Sequence, residues 1–121
     1  MEQYFEGLKN IAITVCDAEG NVLDMNQHSA DVNSHGHKIV GYNLMDCHPE
    51  PAKTKLKGLL EHREQNVYTI EKTFLDGSKV KKLIYQTPWW QEDGSFGGLV
   101  EYSLEIPFDM PHYVRQPKPQ Q

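Results

Sequence analysis

The sequence predicts an α+β domain in which a five-stranded antiparallel sheet carries short helices and one longer helix packed on one face. Three observations lead there: two short β-rich runs near the start with a turn between them, one amphipathic helical stretch in the middle, and three longer β-rich runs joined by Asp-Gly turns. With 121 residues the chain can bury one core but not two. Its 38% hydrophobic and 24% charged residues are ordinary for a globular domain.

Taken in order, Tyr4, Phe5 and Leu8 fall on one side of a short N-terminal helix, assigned to residues 1–10. A β-rich run at 11–15 ends at Asp17-Ala18-Glu19-Gly20, whose Asp and Gly supply turn chemistry, and 22–25 resumes as the second strand of a hairpin. Residues 26–38 are polar and weakly helical, with Asn26 placed to cap a short helix and Gly36 to break it. The longer helix spans 51–64. Pro51 sits in its first turn, where a missing N–H costs little, and Ala52, Leu56, Leu59, Leu60 and Arg63 gather on one face.

Strands at 67–75, 79–90 and 96–106 then form a meander turning at Asp76-Gly77 and Asp93-Gly94. In the last of them Val100, Tyr102, Leu104 and Ile106 alternate with Leu99, Glu101, Ser103 and Glu105. That period of two predicts an apolar face and a polar face that meets water. Only a bulge at Gly97-Gly98 would turn Glu101 inward instead. The tail, 107–121, is broken by Pro107, Pro111, Pro117 and Pro119. Phe108, Met110, Tyr113 and Val114 offer anchors for part of it, and disorder is expected from Gln116 onward.

Composition narrows the function. A formal net charge of −5 gives no broad positive field, so nucleic acid is not expected as a partner, and Lys79, Lys81 and Lys82 read as the wet face of a strand. No apolar run reaches the roughly 20 residues needed to cross a bilayer, and the first nine residues lack a basic, greasy leader. A cytoplasmic protein with no membrane partner is expected. Cys16 and Cys47 are far apart in sequence and do not suggest a disulfide framework. With no nucleophile elbow, phosphate-binding glycine loop or paired-histidine zinc helix, the reading is of a protein that is not an enzyme.

The element order and local motifs together resemble a PAS domain over residues 11–106. The motifs are Val15-Cys16-Asp17-Ala18-Glu19-Gly20-Asn21-Val22, Met25-Asn26, Val40-Gly41-Tyr42-Asn43-Leu44, Asp46-Cys47-His48-Pro49 and Gly94-Ser95-Phe96-Gly97-Gly98-Leu99-Val100-Glu101. Cys47-His48-Pro49 before the long helix and Pro88-Trp89 in the penultimate strand are similar to one PAS subgroup. The chain departs from the family at Glu105-Ile106-Pro107, where many members have an Asp-Ile-Thr junction into an output domain. If the chain is complete, its output is a partner protein or a change in its own assembly.

The resemblance implies a cavity between the inner sheet face and the helices, used in different members for haem, flavin or a small metabolite. None of these is singled out here. Candidate lining residues are Leu56, Leu59 and Leu60 on the helix, opposed by Tyr85 and Trp89 on a strand, and the alternative for all five is a filled core. His48 and His62 are the histidines the resemblance nominates for haem iron, within a histidine-rich half that also holds His28, His35 and His37. The competing roles are loop fixing for His48 and complementing the helix C-terminal dipole for His62. Cys47, ahead of a helix N-terminus, is a candidate redox-sensing thiol. No Arg or Phe follows it, so covalent flavin photochemistry is not expected.

The function expected is a sensory or regulatory module that binds a small ligand and signals through a protein partner or a homodimer. The alternatives are a ligand-free interaction or dimerisation module and a haem or metal sensor built on the histidines, although no metal ligand is assigned.

Overall fold

The computed structural model describes residues 1–119. In chain order its elements are α1 (Gln3–Glu6), β1 (Ile11–Asp17), β2 (Val22–Met25), α2 (Gln27–Asn33), α3 (Leu44–Cys47), α4 (Ala52–His62), β3 (Asn66–Thr73), β4 (Lys79–Trp90) and β5 (Phe96–Ile106). The five strands form one sheet in the order β2-β1-β5-β4-β3, antiparallel at every pairing. The predicted fold class is the one observed. β5, last in sequence, lies in the middle and joins the N-terminal hairpin to the β3–β4 pair.

Local chemistry accounts for the turns. Asp17 closes the first hairpin: its Oδ1 accepts the backbone N–H groups of Glu19 and Asn21, its Oδ2 accepts the Asn21 side-chain amide, and Gly20 takes a φ of 88°. The two meander turns share one device. In each, the Asp Oδ1 accepts both the backbone N–H and the hydroxyl of the Ser two residues on, at 2.9 and 2.6 Å, around a Gly of positive φ. Asn26 caps α2 as expected, accepting from the Ser29 N–H.

α4 buries Leu56, Leu59 and Leu60 against Cys16 and Leu99, with Leu44, Met45 and Phe96 at the edge of that cluster. A second cluster of Val22, Met25 and Ala30 sits beside it, and Leu44 touches both. Arg63 does not extend the apolar face of α4. It adopts a left-handed conformation (φ 54°) that ends the helix, and its guanidinium lies 4.9 Å from the centre of the Phe96 ring.

β5 carries a bulge. Its pairing with β4 shifts by one residue between Trp89 and Trp90, opposite Gly97. The Trp89 indole crosses from β4 over β5 and donates to the Cys16 carbonyl on β1 at 3.0 Å. Gly97 is required by this crossing, and Gly98 by the close approach of the β1 backbone. A Cβ at Gly97 would meet the indole at 2.5 Å, and one at Gly98 would fall 2.0 Å from the Cys16 carbonyl oxygen.

The ends of the described chain differ from expectation. α1 is a single turn whose Tyr4 and Phe5 are exposed, and Leu8 lies beyond it. Residues 107–119 contain no helix or strand, and the expected anchors Phe108, Met110, Tyr113 and Val114 are all exposed. Of the segment expected to be disordered, residues 120 and 121 lie outside the described residues.

Candidate functional site

Strand register decides which side chains look toward the helices. Directly opposed residues of antiparallel strands share a face. Thr14 on β1 faces the helices, since its hydroxyl bonds that of Ser29 on α2 at 2.5 Å. Thr14 opposes Glu101 on β5, Glu101 opposes Gln86 on β4, and Gln86 opposes Asn66 on β3. Four polar side chains therefore form one rung across the inner face of the sheet.

That rung is the sheet wall of a cavity of about 610 Å³. Cys16, Leu99 and Tyr68 border the rung on the same wall, Met25, Ile39 and Leu44 close one side, and Leu56 and Leu59 of α4 face it. Cys47 at the end of α3, with His48 and Pro49 from the loop ahead of α4, completes the lining together with Ala52, Lys55 and Asn33. The sheet wall is thus hydrogen-bonding, and the α4 residues Leu56 and Leu59 that face it are apolar.

The bonds along the rung run in one direction. A carboxylate can only accept, so the Gln86 amide nitrogen must point at Glu101, where it donates to Oε2 at 2.7 Å. The Gln86 carbonyl is then left to accept from the Asn66 amide at 2.8 Å. Tyr68 lies beside this row, and partial burial, followed by the charge of Glu101, pushes its phenol pKa up. It stays a neutral hydroxyl at physiological pH. Burial likewise raises the Cys16 thiol; the Leu99 backbone N–H opposes this, and Asp17 and Glu101 add to it. Cys16 serves the wall as a small, buried, apolar residue.

The structure brings together some of the sequence-derived candidates and separates others. Leu56, Leu59 and His48 border the cavity. Leu60, buried on the same helix, instead borders a smaller, more open cleft with Met45, Arg63 and Phe96. Tyr85 and Trp89 are corrected: they alternate with Gln86 and Pro88 and stand on the opposite sheet face, Tyr85 in a row with Ile13, Tyr102 and Val67, and Trp89 in its latch to Cys16. Glu101, expected in water, is corrected too, because the row of Val100, Tyr102, Leu104 and Ile106 is the one turned away from the helices.

Among the histidines, His48 Nδ1 lies 2.8 Å from the Leu44 carbonyl; a carbonyl only accepts, so the proton is on Nδ1 and Nε2 is the free ring nitrogen. His62 is exposed at the end of α4. No three His, Cys, Asp or Glu side chains converge as a metal site among the described residues, so the histidine-rich half is not a cluster in space. Cys47 is an exposed free thiol at the last position of α3. Sequence reasoning missed Thr14, Asn66, Tyr68 and Gln86, whose shared position depends on pairing across four strands.

A comparison against protein-family models finds no match, and neither does one against curated proteins. Solved structures do match. The PAS domain of Bordetella pertussis BvgS superposes with a TM-score of 0.63 at 18% identity, covering 86% of this chain and 82% of that one. A PAS domain from Colwellia psychrerythraea gives 0.58 at 18% identity, covering 86% and 92%.

The chain has the PAS fold. The cavity lies between the inner sheet face and the helices, where the resemblance to the PAS family implied one. A further match is the Vibrio cholera VqmA–ligand–DNA complex, with a TM-score of 0.59 at 14% identity. It covers 84% of this chain but 47% of VqmA, so this chain spans about half the length of that ligand- and DNA-bound protein. The expectation that nucleic acid is no partner therefore rests on net charge alone. No helix among the described residues is long and apolar enough to cross a membrane.

Proposed function

We propose that this PAS-fold chain is a sensory or regulatory module that binds a small organic ligand between the polar rung and α4. The observation that carries this reading is the rung itself. A sheet face meant only to pack against a helix would be apolar, because burying polar groups without partners costs about 1–3 kcal/mol each. Here Thr14, Glu101, Gln86 and Asn66 face a space of about 610 Å³, within the range of small-molecule sites. That VqmA, a structural neighbour, is seen with a ligand agrees with this use of the fold.

Signalling follows from differential binding: a ligand bridging the sheet and α4 favours the arrangement that holds them at the right separation. The output surface in this reading is the far side of the sheet, where Ile13, Tyr102, Tyr85 and Val67 form an apolar row that includes the exposed Tyr102 and Val67. A protein partner or a second copy of the chain would read the sheet there. The deciding experiment is an absorption spectrum and a native mass on the freshly purified protein. A bound organic mass that leaves on denaturation is expected. A bare protein that also shows no stabilisation by any member of a metabolite library overturns the reading in favour of a ligand-free interaction module.

A further inference from the structure

The chemistry of the rung selects among ligands. Gln86 is held by both ends, its amide nitrogen on Glu101 and its carbonyl on Asn66. Among the described residues no protein donor is bonded to the second Glu101 oxygen or to the Asn66 carbonyl. The wall keeps neutral donors in the Tyr68 hydroxyl and the second amide hydrogens of Gln86 and Asn66, but its one full charge is the Glu101 carboxylate, with an oxygen left to accept. The His48 Nδ1–H is committed to the Leu44 carbonyl, which leaves Nε2 as the ring nitrogen without a protein partner among the described residues. The facing wall of Leu44, Leu56 and Leu59 has no polar side chain to offer. Lys55, the one basic residue on the lining, is exposed.

We infer that the ligand is a small organic molecule with an N–H donor edge, cationic or polarised, on an apolar body. The donor edge lies on the Glu101 carboxylate and the body lies against Leu56 and Leu59. Organic acids of the same shape are rejected, because their carboxylate would meet Glu101 across a partly desolvated space with no cation on the rung to offset the repulsion. This inference rests on the cavity reading above and adds the class of compound.

Three flat probes of one size separate the two claims: benzamidine, benzamide and benzoate, titrated into the wild-type protein with binding followed by two-dimensional NMR. Benzamidine is expected to bind most tightly and benzoate at least tenfold more weakly, the factor of a charge-assisted hydrogen bond gained or lost. In Glu101→Gln, checked for an unchanged fold by circular dichroism, the preference for benzamidine over benzamide is expected to disappear. Benzoate binding as tightly as benzamidine in the wild type overturns the donor-edge inference and leaves the cavity reading standing. An unchanged benzamidine preference in folded Glu101→Gln also overturns it. Failure of all three probes to perturb the cavity residues overturns the donor-edge inference, and the cavity reading is decided by the native mass and library screen above. The wild-type comparison does not depend on the variant folding.

Discussion

Asn26 does more than cap a helix. Fully buried, its Oδ1 accepts from the Ile13 and Ser29 N–H groups, and its Nδ2 donates to the carbonyls of Phe5 and Ile11. One side chain thereby ties α1, the start of β1 and the start of α2. The capping role was legible in the sequence; the two donor bonds were not, because their partners lie 15 and 21 residues away. Replacement by Asp tests this, since Asp caps a helix as well as Asn and would be neutral if capping were all. With both donors lost and a carboxylate facing two carbonyls, Asn26→Asp is expected to lose about 2 kcal/mol or more in urea unfolding. A loss below about 0.5 kcal/mol would reduce Asn26 to a cap.

Among the elements, the strands and α4 were legible because their periodicity and turn residues are local signals. β4 and β5 end where the alternation and the Asp-Gly turns put them. Which face of β5 meets the helices was not legible. Both of its rows carry apolar residues, and the choice is made by register with β1 and β4, set far away in sequence. The glycine pair gave the one local hint, and its consequence is the Trp89 latch. Trp89→Phe, which removes the indole N–H to Cys16 along with part of the ring, is expected to cost about 1 kcal/mol or more in stability. Gly97→Ala is expected to cost more, about 1–3 kcal/mol, because the new methyl collides with the indole. Combined with Trp89→Ala that added cost should vanish, and strict additivity in the double-mutant cycle would contradict the latch.

For the whole molecule, the two faces of the sheet differ in chemistry. The inner face holds a polar rung over a cavity, and the outer face holds an apolar row of Ile13, Tyr102, Tyr85 and Val67, the surface that the proposed reading gives to a partner. The sequence pointed to a cavity through its likeness to the PAS family, but placed Tyr85 and Trp89 in it, one strand register away from the residues that line it. The central claim is that the space between the rung and α4 admits a small molecule. The most direct measurement is a set of nuclear Overhauser contacts between an added flat probe, benzamidine, and methyl-labelled protein. Contacts from the probe to the methyls of Leu44, Leu56, Leu59 and Leu99 are the result this account predicts. No probe contacts, with the Leu56 and Leu59 methyls instead in direct contact with Gln86 and Glu101, would show α4 closed onto the rung as an ordinary core and would contradict it.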